Sequence, residues 1–191
     1  MDKLKEIIGL SDWPRSLLGK CEGPLVIIGP AVNVWDEVEK YGQATSVTRM
    51  AINEMIPITP VFLSSIHHAV SMHPEVVIGG KIMVNNHGIH CHTHSMRQYN
   101  SRDSIEHLWG MRGITHSGLF GAVIAVLMGY YPVVLCGMPA DDSPYCYGPK
   151  SWRVKWHEGE TAHGAWKPLV PVLKGKVFSM SGNTRKWFGA P

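Results

Sequence analysis

Residues 117–137 read Ser-Gly-Leu-Phe-Gly-Ala-Val-Ile-Ala-Val-Leu-Met-Gly-Tyr-Tyr-Pro-Val-Val-Leu-Cys-Gly. The unbroken apolar run from Leu119 to Met128 is too long for an ordinary strand and about half the ~20 residues that span a bilayer. It predicts a buried helix over Ser117 to Tyr130. One tight turn later, Pro132 to Gly137 reads as a buried strand. A helix that feeds a core strand in this way belongs to an open α/β sheet.

Working outward, Pro24-Leu-Val-Ile-Ile-Gly-Pro30 is a second buried strand ended by Gly29-Pro30. Asn33 is expected to cap a helix over Val34 to Tyr41, with Asp36 and Glu37 in the first turn. Ala44 to Met50, rich in β-branched residues, predicts a strand leading to Asn53. Pro60 to Ile66 and Glu75 to Ile78 read as two further strands, with a short helix at His67 to Met72 between them. A last strand over Lys176 to Met180 ends at the turn 181–184. The N-terminal 1–20 segment predicts a short helix through Leu4, Ile7 and Ile8, then a turn around Trp13 to Leu18. Residues 140–165, rich in Trp, Tyr, Pro and His, read as a lid-like insertion. The expectation is therefore one α/β, Rossmann-like domain over 1–191, an open and mainly parallel sheet with helices on both faces. Ligands of such sheets bind at the carboxyl ends of the strands. Those ends carry Gly29-Pro30-Ala31, Asn53, Ser64-Ser65, Gly137 to Asp141 and 181–184.

Composition narrows the classes. Charged residues make up 17% of the 191 and hydrophobic ones 45%, which suits a substantial core and excludes disorder throughout. Eighteen Lys+Arg against fifteen Asp+Glu give +3, too little and too scattered for a nucleic-acid partner. Low charge with many aromatics leads to the expectation of a homo-oligomer. The four cysteines form no CxxC pair, and the N-terminus lacks the apolar run of a secretory signal. A soluble, cytoplasmic protein with reduced thiols and no transmembrane segment is expected.

Several segments, in this order, resemble the nucleotide-binding core shared by Campylobacter-type sialyltransferases and the DUF115 (MptE-like) Rossmann proteins. They are VIIGPAVN at 26–33, MAIN at 50–53, HSGLFGAVIAVLMGYYPVVLCGMPADD at 116–142 and VFSMSGNTRKWFGAP at 177–191, about half the chain. The resemblance implies a domain that binds a nucleotide, such as a CMP-type sugar donor, with no cofactor or metal required. It matches Gly29 and Pro30 to the first-strand turn, Asn53 to the Asn after the second strand, Ser117-Gly118 to the helix start near the nucleotide, and Gly137 with Asp141 to the turn after the core strand. The family's Gly-Pro-Ser is here Gly29-Pro30-Ala31, one hydroxyl fewer. Its lid histidine, the catalytic base, matches either His157 or His163.

The residues speak for the same roles. Gly29-Pro30-Ala31 opens a helix, where backbone amides and the helix dipole favour phosphate. Asn33 lies at that helix start. Ser117 offers a hydroxyl at a helix N-terminus and Gly118 lets backbone approach a ligand. Asp141, Tyr145 and Tyr147 would line the site, and His157 or His163, near Glu158 and Glu160, would act as base. The competing signal is histidine: seven of the eleven fall between His67 and His94. Were 90–94 extended, His90, His92 and His94 would share one face, a spacing that suits zinc. The polar residues flanking them favour a hydrogen-bonded loop or interface, and no catalytic metal is expected. The function read from the sequence is a nucleotide-binding, glycosyltransferase-like enzyme. The alternatives are a non-catalytic nucleotide-sequestering module, or a zinc-dependent hydrolase built on those three histidines.

Overall fold

A computed structural model of the chain describes residues 2–41, 46–98, 105–141, 143–147 and 164–191. The elements run α1 (Asp2–Ile7), β1 (Leu25–Ile28), α2 (Val34–Tyr41), β2 (Thr48–Ile52), α3 (Met55–Phe62), β3 (His68–Val70) and α4 (Pro74–Asn86). They continue β4 (His92–Ser95), β5 (His107–Leu108), α5 (Ser117–Met128), β6 (Val133–Cys136), α6 (Val170–Leu173), β7 (Val177–Ser179) and α7 (Gly182–Phe188). The seven described strands form one all-parallel sheet in the order β5-β4-β3-β2-β1-β6-β7, an α/β Rossmann-like architecture.

The period of two along β1 explains the two layers. Leu25 and Ile27 point into a cluster with α5, while Val26 and Ile28 point into one with α2, α3 and α4. Every residue of α5 from Leu119 to Met128 is buried. One side of this helix packs on the sheet, and Leu4, Ile8, Leu169, Leu173 and Phe188 share its cluster, so no polar face is needed. Among the described residues no helix is long and apolar enough to cross a membrane.

Several local expectations are corrected. The predicted strand Pro60 to Ile66 is the end of α3 and the loop beyond it, and the predicted strand Glu75 to Ile78 lies inside α4. In α4, Pro74, Val77, Gly80 and Val84 form a buried helical stripe, so the β-branched pair Val76-Val77 is overridden by a pattern that shows only over thirteen residues. The predicted helix His67 to Met72 is β3, and the cluster read as a polar loop contains β4. Both strands are short and polar because their histidines find hydrogen-bond partners inside the fold. The turn at 181–184 opens α7. Most of the lid segment, residues 148–163, lies outside the described residues, as do Ala44 and Thr45 of the predicted second strand.

Candidate functional site

β2 flanks β1 on one side and β6 flanks it on the other, so the chain leaves β1 in opposite directions. Such a switch point leaves a crevice at the carboxyl ends of the strands. A cavity of about 140 Å³ lies there, lined by residues that include Gly29, Pro30, Asn53, Ser117, Gly118, Gly137, Asp141 and Tyr145. That is about the volume that holds one aromatic ring, so a larger ligand would extend beyond it.

The turn after β1 is fastened to its neighbours. The amides of Gly29, Ala31 and Val32 donate to the carbonyls of Cys136, Gly137 and Pro144 (2.8, 3.0 and 2.8 Å), and that of Val34 to Ala31 (3.0 Å). The amides of the turn itself are thus spent within the protein. α5 is different: Phe120 is the first of its amides with a carbonyl one turn back, His116 O at 2.9 Å. Its earlier amides, at Ser117, Gly118 and Leu119, lack such a partner by helix geometry, and these residues line the cavity. The donor end that faces the crevice is that of α5.

His116 occupies the N-cap, so Ser117, the first helical residue, is not the capping residue. Its Oγ instead accepts the Met72 amide (3.0 Å) and lies 3.5 Å from Ser71 Oγ. Ser71 Oγ donates to Asn53 Oδ1 (2.6 Å) and accepts the His73 amide (3.0 Å). Asn53, in a left-handed conformation (φ 52°), is thereby aimed across the ends of β2 and β3. Gly29 and Gly118 have a shared reason to be glycine. A Cβ would stand 2.2 Å from Met138 Cγ at the first and 2.3 Å from Met138 Cε at the second, so the Met138 side chain fills the space both leave.

Asn33 and Tyr147 stand outside the cavity lining. Asn33 does not cap α2 through its oxygen. Its Nδ2 donates to Glu37 Oε1, and its Oδ1 is buried without a partner. Glu37 in turn accepts the Gly137 amide through Oε2 at 2.7 Å. Burial raises the Glu37 carboxyl above its ordinary value, against the lowering effect of that amide and of the Lys40 and Arg185 cations. The carboxylate ties α2 to the turn after β6. A charged residue on the Val34–Val38 face of an amphipathic helix was the signal for it.

Beyond that turn, Asp141 Oδ1 accepts the Ser143 amide (2.9 Å) and hydroxyl, and Tyr145 bridges to Ala31. The Tyr147 ring lies 5.3 Å from that of Tyr145. The described start of the insertion thus runs along the β1–α2 turn, and Trp166 at its far end also lines the cavity. His157 and His163 lie outside the described residues. Glu54, His116 and Met138 also line the cavity and had not been singled out.

The histidine cluster resolves into a chain of hydrogen bonds. The indole of Trp109 is donor only and gives its N–H to His94 Nδ1 (3.2 Å), which puts the imidazole proton on Nε2. His94 Nε2–H then donates to His68 Nδ1 (2.9 Å), and His68 Nε2–H to Tyr130 Oη (2.9 Å). Burial pushes His68 down to about 3 and His94 well below the ordinary imidazole range, with neighbouring imidazoles adding to both effects. Both nitrogens of His94 are engaged and His90 is exposed ahead of β4, so His90, His92 and His94 do not converge on one ion.

Compared with protein-family models, with curated proteins and with solved structures, the chain matches none.

Proposed function

We propose that the chain binds a nucleotide in the crevice at the carboxyl ends of β1, β2 and β6, and that it is a glycosyltransferase-like enzyme using a CMP-type nucleotide sugar. The reading rests on one observation: a cavity at the switch point of a parallel sheet, with the N-terminus of a buried twelve-residue helix opening into it. Anionic groups are favoured at such a helix end, and nucleotides at such a crevice. The family resemblance supports the same reading. Asn53, Ser117, Gly118, Gly137 and Asp141 would surround the nucleotide. In the transfer, the bond from the sugar carbon to the phosphate oxygen breaks and the nucleoside monophosphate leaves. The acceptor oxygen forms the new glycosidic bond, and its proton passes to His157 or His163. Exposed apolar side chains on α3 and α4, Val61, Phe62, Ile82 and Met83, support the accompanying expectation of a homo-oligomer.

Incubation with CMP-sugars and a panel of saccharide acceptors should release CMP and form glycoside, with the rate falling about 100-fold or more in the His157→Ala or the His163→Ala variant. Donor recovered intact after long incubation, although bound, would make the chain a sequestering module instead.

A further inference from the structure

On the α5 face of the sheet, imidazoles from three adjacent strands lie side by side. Ring centroids are 5.1 Å apart for His68 and His94, 4.8 Å for His94 and His107, and 5.2 Å for His92 and His107. The inner pair, His68 and His94, is committed to the buried chain from Trp109 to Tyr130. The outer pair, His92 and His107, is joined by Glu106; His92 and Glu106 are exposed and His107 is half-buried.

We propose that His92 Nδ1, Glu106 Oε2 and His107 Nε2 bind one divalent first-row transition ion, zinc foremost, at the edge of the sheet. One ligand atom from each residue falls within 4.8 Å of the others. His92 Nδ1 lies 3.1 Å from Glu106 Oε2 and 3.3 Å from His107 Nε2. Zn–N and Zn–O bonds of about 2.0–2.1 Å at tetrahedral angles put ligand atoms roughly 3.3 Å apart, which the two separations from His92 Nδ1 match. As a purely hydrogen-bonded cluster the arrangement is poorer, because His92 Nδ1 has one hydrogen-bonding site, a proton or a lone pair, and cannot serve both Glu106 Oε2 and His107 Nε2 fully in either tautomer. Two imidazoles and a carboxylate are a zinc donor set, with water completing the coordination.

Lys81 Nζ holds the other carboxylate oxygen, Glu106 Oε1, at 2.8 Å and fixes its orientation, although its charge subtracts from the affinity for a cation. His92 and His107 are the first residues of β4 and β5, so the ion would sit at the amino ends of the strands, opposite the crevice. It is a clamp rather than part of the crevice chemistry. β5 pairs with β4 through only His94↔His107 and Ser95↔Leu108, and an ion bridging the two strands would close that edge.

The test uses untagged, metal-stripped full chain titrated with ZnCl2 by calorimetry, with Co²⁺ absorption as a second readout. One ion per chain and the visible bands of four-coordinate cobalt are expected. His107→Gln and Glu106→Gln should each weaken binding by about 10-fold or more. The fold should survive both changes, since the side chains are partly open to solvent; circular dichroism checks this. His87→Gln and His90→Gln, which alter exposed histidines outside the trio, should leave affinity unchanged. Absence of stoichiometric binding overturns the proposal, as does binding that survives both ligand variants or falls equally with His90→Gln.

Discussion

Lowering the pH from 7 to 5 is expected to remove roughly 4 kcal/mol of stability, about 2 from each of His68 and His94. Both are neutral and buried in the fold, and in the unfolded chain each takes up a proton near the ordinary value of 6.5. The folded values are depressed, so the unfolded state binds more protons below pH 6.5. Stability therefore rises with pH across this window and is lost as the pH falls toward about 3, where His68 titrates in the fold. The hydrogen-bond chain reinforces the burial effect. A proton added to His94 Nδ1 would face the Trp109 indole N–H, donor against donor, at 3.2 Å. Apart from the Tyr130 phenol, which burial keeps protonated, the ionisable groups around the pair are themselves imidazoles: His92 and His107 beside both, and His67 beside His68. None of them compensates a positive charge. Because small domains are stable by only about 5–15 kcal/mol, this loss is a large share of the total at pH 5, and the acid transition itself follows below that pH. Urea unfolding at a series of pH values reads the slope, which should approach two protons per chain. A flat profile between pH 7 and 5 would show that these imidazoles are not held neutral.

Gly137→Ala is expected to cost about 2–6 kcal/mol, the left-handed backbone and the crowding each contributing about 1–3. Gly137 has φ +66°, and a Cβ would stand 2.4 Å from Gly29 O and 2.6 Å from Val34 Cβ. Neither neighbour can give way cheaply. The Gly29 carbonyl belongs to the fastened turn, and the Gly137 amide and carbonyl hold Glu37 and Ala31. The melting temperature should drop by roughly 10 °C. Gly79→Ala, in α4 with nothing within 4 Å of the new methyl, is the matched control and should stabilise by about 0.5–1 kcal/mol. Equal melting temperatures for the two variants would mean that the turn after β6 is not packed as described.

The parts of the fold legible in the sequence were those with one dominant force. β1, α5 and β6 are continuous apolar runs because both of their sides are buried, and such runs have few other readings. β3 and β4 were misread for the opposite reason. They bury His68 and His94, whose partners Trp109 and Tyr130 are remote in sequence, so nothing local marks those polar residues as interior. α3 carries Pro57 and Pro60 among β-branched residues and reads locally as strand or loop. Packing of Met55, Ile56 and Thr59 overrides that tendency. The crevice was better read, since its glycines, Asn53 and Ser117 follow strand ends or open a helix and need no knowledge of distant contacts. Glu37 and Met138 act across elements, so their roles appear only once α2, α5 and β6 are brought together.

The most direct test of the nucleotide reading is a calorimetric titration of the full chain with CMP, UMP, GMP and their sugar conjugates, repeated with Gly118→Leu. Outside its own helix and chain neighbours, every atom within 4 Å of a Cβ at this position belongs to Met138, the nearest being its terminal methyl, so the new side chain enters the crevice against a flexible neighbour rather than backbone. The account predicts one nucleotide bound per chain, with a cytidine nucleotide preferred, and loss of that binding in the variant. Failure of every nucleotide to bind, or binding unchanged by Gly118→Leu, would contradict it.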